Sequence, residues 1–236
     1  MKTNLATNLE QGAAVGPQLY RILRERLIRG ELAPGMRVSE TEIASAYAVS
    51  RQPVREAFIK LAEEGLVEVR PQRGTFVSLI SLPAVMTARF IREAVEADIA
   101  RRLAETADDA MITRLDAAMD EQRALGPDAP GEAFMRLDEE FHRALAELLD
   151  QAAVADHLET LKTQMNRVRH ISARQFSRER LVSQHGEIVE AIRARDAARA
   201  DHAMRLHLHE IVVDLPGIVA TQAGLFSGLD ALDKMV

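Results

Sequence analysis

Three histidines and one aspartate in the second half of the chain have the residue types and the spacing of a metal site. Asp138 and His142 lie four residues apart in LDEEFHRAL, so a helix presents both side chains on one face. His185 and His207 are in register with the apolar positions of two later helical patterns, which turns both imidazoles inward. Three imidazoles and one carboxylate suit a divalent transition metal and leave a coordination position for water or an anion.

Considered one at a time, these histidines are also explained as ordinary core or surface residues. We keep that interpretation for the remaining histidines of the chain, which are His157, His170, His202 and His209. The metal hypothesis therefore depends on the set of four residues and not on any single imidazole.

A second group of chemically suited residues stands at the start of a helical pattern in AVSRQPVREA. Ser50 is a suitable N-cap, and Pro53 falls in the first turn, where its missing N–H removes no helical hydrogen bond. Arg51, Gln52 and Arg55 extend from the first two turns, where arginine can make a bidentate pair with guanine. A shorter helical pattern precedes this one after a brief turn, so the segment predicts a helix-turn-helix whose second helix enters a major groove.

A short hairpin is predicted after this helix. The β-type runs LVEVR and TFVSL are separated by PQRG, a tight connection in which Gly74 can supply a positive φ. Arg73 at the tip is expected to reach a phosphate or the minor groove, and Gly74 lets the backbone come close to DNA. The alternative is a small helical subdomain whose arginines are only a solvated face.

Composition limits the class of protein that positions these residues. The chain of 236 residues has 47% hydrophobic and 4% aromatic residues, which is typical of a soluble, mainly α-helical protein when Ala, Leu and Arg are abundant. No cysteine is present, so disulfides, thiolate metal sites and cysteine nucleophiles are excluded. Residues 1–16 lack the apolar core of a signal peptide, and no apolar run reaches about 18 residues, so we expect a cytoplasmic protein without a membrane segment.

Two modules are predicted, and they differ in charge. Lys and Arg outnumber Asp and Glu in residues 17–80, whereas acidic residues are in excess after residue 80. We predict a flexible tail at 1–16, a winged helix-turn-helix at 17–79, an all-helical antiparallel bundle at 82–214, and a tail at 215–236 that is mobile or forms a short extra helix. The six helical patterns of the bundle cover about residues 82–105, 108–125, 130–149, 152–175, 178–195 and 196–214.

The segment Val38–Val77 resembles the winged helix-turn-helix of the GntR superfamily of bacterial transcription regulators. The specific matches are VSRQPVREA and RGTFV. The resemblance implies that Arg51, Arg55, the residues between them and the wing-tip glycine belong to a DNA contact surface. Two positions depart from the family: Thr41 stands where an arginine often contacts DNA, so that contact is not carried over, and Ala48 stands where the turn often has glycine.

The chain after Ser81 resembles the FCD ligand-binding domain that follows the winged helix in the FadR subfamily. Its six predicted helices are more similar to the shorter VanR-type variant. Metal-binding members carry Asp-x-x-x-His on one helix and two further histidines on later helices, which Asp138, His142, His185 and His207 match. The resemblance implies a bound divalent metal, zinc or else nickel, manganese or iron, in a pocket where a small organic acid coordinates it.

Arg92, four residues before Glu96, resembles the family's Arg-x-x-x-Glu on the first helix of this domain. A guanidinium at this position is expected to hold the effector carboxylate in a bidentate pair. The alternative is an ion pair between the two residues on the helix surface.

The leading interpretation is a transcription factor and not an enzyme: a homodimeric repressor or activator that binds operator DNA and responds to a small carboxylate. Two recognition helices must meet successive major grooves, which requires the dimer. The first alternative is a metal-dependent hydrolase that uses metal-bound water, which needs a general base beyond the ligands. The second is a scaffold that the metal stabilises and that has no effector.

Overall fold

A computed structural model describes residues 9–126, 129–172 and 177–234 of the chain. The chain forms two units, one of residues 1–81 with 224–227 and one of residues 82–223 with 228–236. The described residues of the first unit form the helices α1 (Val15–Ile28), α2 (Glu40–Ala46) and α3 (Arg51–Glu63), and the strands β1 (Arg37–Val38), β2 (Val67–Arg70), β3 (Gly74–Val77), β4 (Ile80–Ser81) and β5 (Phe226–Ser227).

The core of the first unit follows the predicted apolar stripes. Leu19, Leu23 and Leu27 recur every four residues along α1 and are buried in one cluster with Val54 and Leu61 of α3. Helix α2 precedes α3 after a short turn, so α1, α2 and α3 enclose one small core. The predicted helix-turn-helix is therefore formed by α2 and α3.

A three-stranded antiparallel sheet completes this unit, with the strand order β1, β3, β2. Val67 pairs with Val77, and Arg70 pairs with Gly74 at the end of the hairpin. Gly74 has a φ of 102°, so the positive φ expected at this glycine is present. A separate parallel pair joins β4 to β5, with Ile80 opposite Phe226.

Ala48 in the turn between α2 and α3 adopts a left-handed backbone with a φ of 52°. This conformation strains a residue with a β-carbon by about 1–2 kcal/mol, and glycine would remove that strain. Glycine also gives the unfolded chain more conformational entropy, which cancels about 0.4–1 kcal/mol of the gain. We therefore expect Ala48→Gly to raise the free energy of unfolding by about 0.5–1 kcal/mol, as measured by urea denaturation.

The matched control for this substitution is Ala62→Gly within α3. There the backbone is helical, and glycine lowers the free energy of unfolding by about 1 kcal/mol. Equal destabilisation by both substitutions would show that the turn at Ala48 carries no strain.

The second unit is helical in its described residues, apart from short connections. It contains α4 (Leu82–Thr106), α5 (Asp109–Ala124), α6 (Gly131–Glu147), α7 (Ala152–Leu161), α8 (Thr163–Ile171), α9 (Arg178–Arg193) and α10 (Ala197–Gln222), with a short 3-10 turn at Leu229–Lys234. Another 3-10 turn, Ala223–Leu225, begins at the last residue of this unit before the chain returns to the first unit. Helices α4, α9 and α10 pack against one another, and α5 and α6 close the core around Phe141. The mainly helical fold class is as predicted. No helix in the described part of the chain has both the length and the apolar character that crossing a membrane requires.

Several local expectations are wrong. Ser50 does precede α3 at the N-cap position, but its hydroxyl makes no capping hydrogen bond. The helix predicted at 152–175 is divided at Lys162 into α7 and α8, and residues 173–176 lie outside the described residues. The Thr163 hydroxyl donates to the Thr160 carbonyl at this division, which satisfies one of the acceptors that the break releases.

The predicted terminal tails also differ from the structure. Helix α10 continues through Pro216 to Gln222, so the tail expected from residue 215 is wrong over residues 215–222. Leu215, Ile218 and Val219 are buried there, and this apolar burial outweighs the hydrogen bond that proline removes. At the other end, residues 1–8 lie outside the described residues, and Val15 and Gly16 of the predicted 1–16 tail already belong to α1.

Candidate functional site

Four ligand-type side chains from three helices converge inside the second unit. Asp138 and His142 extend from α6, His185 from α9 and His207 from α10, and one donor atom of each lies within 4.8 Å of the others. The Nε2 atom of His207 is 3.1 Å from Nε2 of His142 and 3.2 Å from Nε2 of His185. His185 Nε2 lies 3.6 Å from Asp138 Oδ1. The structure therefore brings together all four residues that the sequence singled out.

The second nitrogen of each imidazole, Nδ1, contacts an oxygen outside the cluster. The three contacts join His142 Nδ1 to Glu96 Oε2 at 2.6 Å, His185 Nδ1 to Gln122 Oε1 at 2.8 Å, and His207 Nδ1 to Gln184 Oε1 at 3.1 Å. Amide oxygens only accept hydrogen bonds, so the two glutamines assign the proton to Nδ1 in His185 and His207. The His142 Nδ1 atom is in ion-pair contact with Glu96 without the geometry of a hydrogen bond, and the nearby carboxylate favours a proton on this nitrogen as well. Each Nε2 atom then directs a lone pair into the cluster, as a metal ligand does.

Burial keeps His185 and His207 neutral. It lowers the pKa of His185 to about 3, and burial together with the neighbouring rings of His185 and His142 lowers the pKa of His207 well below its ordinary value. Neutral imidazole is the form that binds a metal. Three lone pairs that face one another at about the contact distance repel unless a cation lies between them, so the donor set fits a divalent metal.

Asp138 supplies the negative charge of the cluster. Its Oδ2 atom forms an ion pair with Nη1 of Arg169 on α8 at 2.7 Å, and its Oδ1 atom has no cationic partner; neither oxygen has the geometry of a hydrogen bond with a described residue. Burial opposes ionisation of Asp138, but the positive charge of Arg169 outweighs it and holds the pKa well below the ordinary value. A buried carboxylate oxygen without a hydrogen bond is therefore directed at the three imidazole nitrogens, which again fits a cation.

Arg92 forms a buried ion pair with Glu96 on α4. Its Nε atom is 2.6 Å from Glu96 Oε1, and its Nη1 atom contacts Met165 Sδ at 3.2 Å. Burial opposes ionisation of Glu96, but Arg92 and then His142 hold its pKa below the ordinary range. The ion pair between Arg92 and Glu96 that the alternative predicted is therefore present, but its predicted location on the helix surface is wrong because both side chains are buried. In the structure Arg92 supports the carboxylate that contacts His142.

Replacement of Arg92 by Met is expected to lower the free energy of unfolding by about 3–5 kcal/mol, because it leaves the Glu96 carboxylate buried without its cation. Urea denaturation of the metal-free protein measures this change. Arg136→Met is the matched control, since Arg136 pairs with Glu140 on an exposed surface, where such a pair contributes less than about 1 kcal/mol. Glu96→Gln should restore part of the loss in the Arg92→Met background. Equal losses from Arg92→Met and Arg136→Met would contradict the assignment.

Three residues that contact the cluster were missed from the sequence: Gln122, Gln184 and Arg169. Only Gln122 left a signal, because it continues the buried stripe of Leu115 and Met119 along α5 and a buried amide requires a partner. Gln184 and Arg169 stand in ordinary amphipathic patterns. The histidines that were given no ligand role, His157, His170, His202 and His209, lie outside the cluster.

The residues expected to contact DNA lie on the surface of the first unit. Arg51, Gln52, Pro53 and Arg55 occupy the first turns of α3 and are exposed or half-buried, as are Arg73 and Gly74 at the end of the hairpin. Arg51 Nη2 is 3.1 Å from Glu40 Oε2, and Gln52 Nε2 is 3.1 Å from Glu56 Oε1. The helix start and the hairpin tip thus present polar side chains to solvent, and α3 buries only its opposite face.

Residues 16–77 match the gntR family of bacterial regulatory proteins, and residues 88–210 match the FCD domain. The chain is 40% identical over 206 residues to the HTH-type transcriptional repressor RspR of Escherichia coli (strain K12), which covers 87% of this chain and 90% of the relative. An HTH-type regulator in an unstable DNA locus of Streptomyces ambofaciens is 37% identical, over 89% of this chain and 88% of its own length. A solved GntR regulator from Rhodococcus sp. RHA1 superposes with a TM-score of 0.68 at 28% identity, over 86% of this chain and 97% of that one.

A helix-turn-helix unit and an all-helical unit of this kind define a transcriptional regulator and not an enzyme, as these relatives are. The chain belongs to the GntR family and carries an FCD domain after its helix-turn-helix. The alternative of a metal-dependent hydrolase is set aside on this finding.

Proposed function

We propose that this regulator is a repressor that binds operator DNA as a dimer and responds to a small organic acid at a metal in its FCD domain. The observation that carries the proposal is the convergence of three Nε2 atoms and one Asp138 oxygen. Repression is proposed because the relative RspR is named a transcriptional repressor. A cytoplasmic location follows from the DNA that it would bind.

Asp138, His142, His185 and His207 would hold the metal, which we propose is zinc, with nickel, manganese or iron as alternatives that the same ligands accept. The metal would supply an open coordination position for an anion. Glu96, Gln122 and Gln184 would hold the three imidazoles in the tautomer that directs Nε2 inward.

The balance of buried charge supports an anionic effector. Asp138 is paired with Arg169, and Glu96, which contacts His142, is paired with Arg92, so the charges within these two ion pairs cancel. A divalent metal would add two positive charges to a buried site, and an acid bound to it would compensate them. Arg92, Arg169 and His207, together with the acidic Glu210, also border a small cavity of about 30 Å³, which has room for water-sized groups. A second cavity, of about 270 Å³, is lined by His142 and Glu96, so space for a small organic acid lies on that side of the cluster.

The proposed DNA surface consists of the start of α3 and the hairpin, and its residues are Arg51, Gln52, Pro53, Arg55, Arg73 and Gly74. A helix N-terminus attracts phosphate, and the arginine side chains reach beyond it to base edges. For Arg51 to bind DNA, its ion pair with Glu40 must break first. Arg55 forms no ion pair within the described residues and is available for DNA without such a step.

A second copy of the chain is the proposed partner, since one recognition helix per chain must meet each half-site. An exposed apolar stripe supports this proposal. Phe90 on α4 is 68% exposed, and Leu206 and Val213 on α10 are 55% and 61% exposed. The two helices lie side by side there, with Arg89 Nη1 3.3 Å from His209 Nδ1. Apolar side chains at this density on neighbouring helices are typical of a contact surface.

The experiment that tests the proposal measures binding of the metal-loaded and metal-stripped protein to DNA from upstream of its own gene, with and without candidate acids. Light scattering on the same samples gives the oligomeric state. We expect a dimer that prefers this DNA over an unrelated duplex, and an acid response that is lost when metal is removed and regained on reloading. An acid response that persists after metal removal would favour the alternative of a scaffold stabilised by metal, and a lack of DNA preference would refute the proposal.

A further inference from the structure

The outer face of the three-stranded sheet carries positive charge beyond the DNA surface proposed above. Arg37 pairs with Phe76, and Arg70 pairs with Gly74, and directly paired residues project from the same side of an antiparallel sheet. The opposite side carries buried valines and faces the core, so Arg37, Phe76 and Arg70 share the solvent face.

Arg37 extends along this face toward the hairpin tip. A β-carbon added at Gly74 would lie 3.1 Å from its Nε atom and 3.6 Å from Cζ, so the guanidinium lies against the bare α-carbon of that glycine. Gly74 is two residue pairs closer to the tip than Phe76, the residue opposite Arg37, and lies on the same face of the sheet. Arg37 itself is exposed and forms no ion pair within the described residues. The absence of a side chain at Gly74 therefore leaves space for this cation beside the tip.

The neighbouring charges leave this face positive. The Arg70 guanidinium lies over the Phe76 ring at 4.5 Å and pairs with Glu68, and Arg73 is exposed at the tip. Three arginines, Arg37, Arg70 and Arg73, thus surround the tip, and the Glu68 carboxylate compensates one of these positive charges. A compact positive patch beside a hairpin tip is complementary to the phosphates that flank a DNA groove.

We propose that Arg37 is a phosphate-binding residue of this regulator, which contacts the DNA backbone beside the groove that the hairpin tip enters. The proposal rests on the DNA binding proposed above and adds a residue to it. A guanidinium binds a phosphate through two parallel hydrogen bonds, and a phosphate contact holds the protein on the duplex without reading its sequence. Arg37 should therefore contribute equally to operator DNA and to unrelated DNA.

The test is a comparison of Arg37→Gln with the wild-type chain for binding to operator and unrelated duplexes at several salt concentrations. We expect the variant to bind both duplexes more weakly by the same factor. The slope of log affinity against log salt should become shallower by about 0.9, so that the gap to wild type narrows by about 3.5-fold over a fourfold rise in salt. Arg29→Gln, a substitution at the far end of α1, is the control and should leave the slope unchanged.

A second variant separates a phosphate contact from a packing role against Gly74. Arg37→Lys keeps the charge, so a phosphate contact predicts a slope close to that of wild type. The inference would be overturned if the salt slope of Arg37→Gln equals that of wild type. It would also be overturned if Arg37→Gln and Arg37→Lys lose affinity equally and neither changes the salt slope. In both cases the proposed function would survive as long as the wild-type chain still prefers operator DNA. A loss confined to operator DNA would overturn it in favour of a base contact. A wild-type chain without operator preference would overturn the proposed function as well.

Discussion

The His185→Ala protein is expected to contain almost no bound metal after purification and dialysis, whereas the wild-type protein is expected to hold one metal ion per chain. The His185 ring supplies an inward Nε2 atom from the centre of the cluster, within 3.2 Å of His207 Nε2 and 3.6 Å of Asp138 Oδ1. Loss of a residue that only supports a ligand lowers metal affinity by about 10–100-fold, so loss of the ligand itself should lower metal affinity by at least about 100-fold. Elemental analysis and titration of the stripped protein measure this effect.

The control is His202→Ala, which removes an exposed imidazole of α10 that lies outside the cluster. It should retain full metal content. His185→Ala can also perturb the core, so Gln122→Leu provides a second measurement. This variant removes the hydrogen-bond acceptor of His185 Nδ1 and should lower metal affinity by about 10–100-fold. Full occupancy in His185→Ala would remove His185 from the ligand set.

The second large effect is expected from Arg55→Ala, which should weaken binding to operator DNA by about 1–3 kcal/mol, or roughly 5- to 150-fold. Arg55 lies in the second turn of α3, is exposed, and has no acidic partner among the described residues, so no internal ion pair competes with DNA for it. Binding to unrelated DNA should change much less, because a base contact carries sequence preference. Fluorescence anisotropy with both duplexes at one fixed salt concentration measures the difference.

Arg29→Ala is the matched control for Arg55→Ala. Arg29 is also exposed, but it caps the far end of α1. Helices α1 and α3 run in the same direction, since Gly16 lies beside Pro53 and Tyr20 contacts Glu64. The end of α1 is therefore remote from the start of α3. Its loss should leave operator affinity unchanged. Unchanged affinity in Arg55→Ala would place the base-reading surface elsewhere than the start of α3.

The sequence was sufficient for the elements whose signals are local. The spacing of Asp138 and His142 puts both on one helix face, and the proline and arginines after Ser50 mark the start of α3. Helix periodicity located most of the bundle, because each stripe of apolar residues must be buried by any fold that the chain adopts. Ala48 was noted as a departure from glycine, and its left-handed backbone is the structural consequence.

Local signals failed where two distant segments determine the result. The chain remains helical past Pro216 because tertiary packing buries Ile218 and Val219, and no pattern within residues 215–222 reports that packing. Arg92 was predicted to hold an effector carboxylate, and that role stays a prediction. The structure adds that its guanidinium pairs with Glu96, whose other contact is His142 on a different helix.

The sequence by itself determined the residue types at the cluster, the family and the helical class, because these depend on side-chain chemistry and on periodicity along one helix. Only the tertiary structure decided which nitrogen of each imidazole faces inward, because Glu96, Gln122 and Gln184 come from α4, α5 and α9. It also decided that Arg169 holds one oxygen of Asp138 and leaves the other for the cluster. A hydrogen bond between helices depends on how those helices pack, and packing is a property of the whole core and not of any one segment.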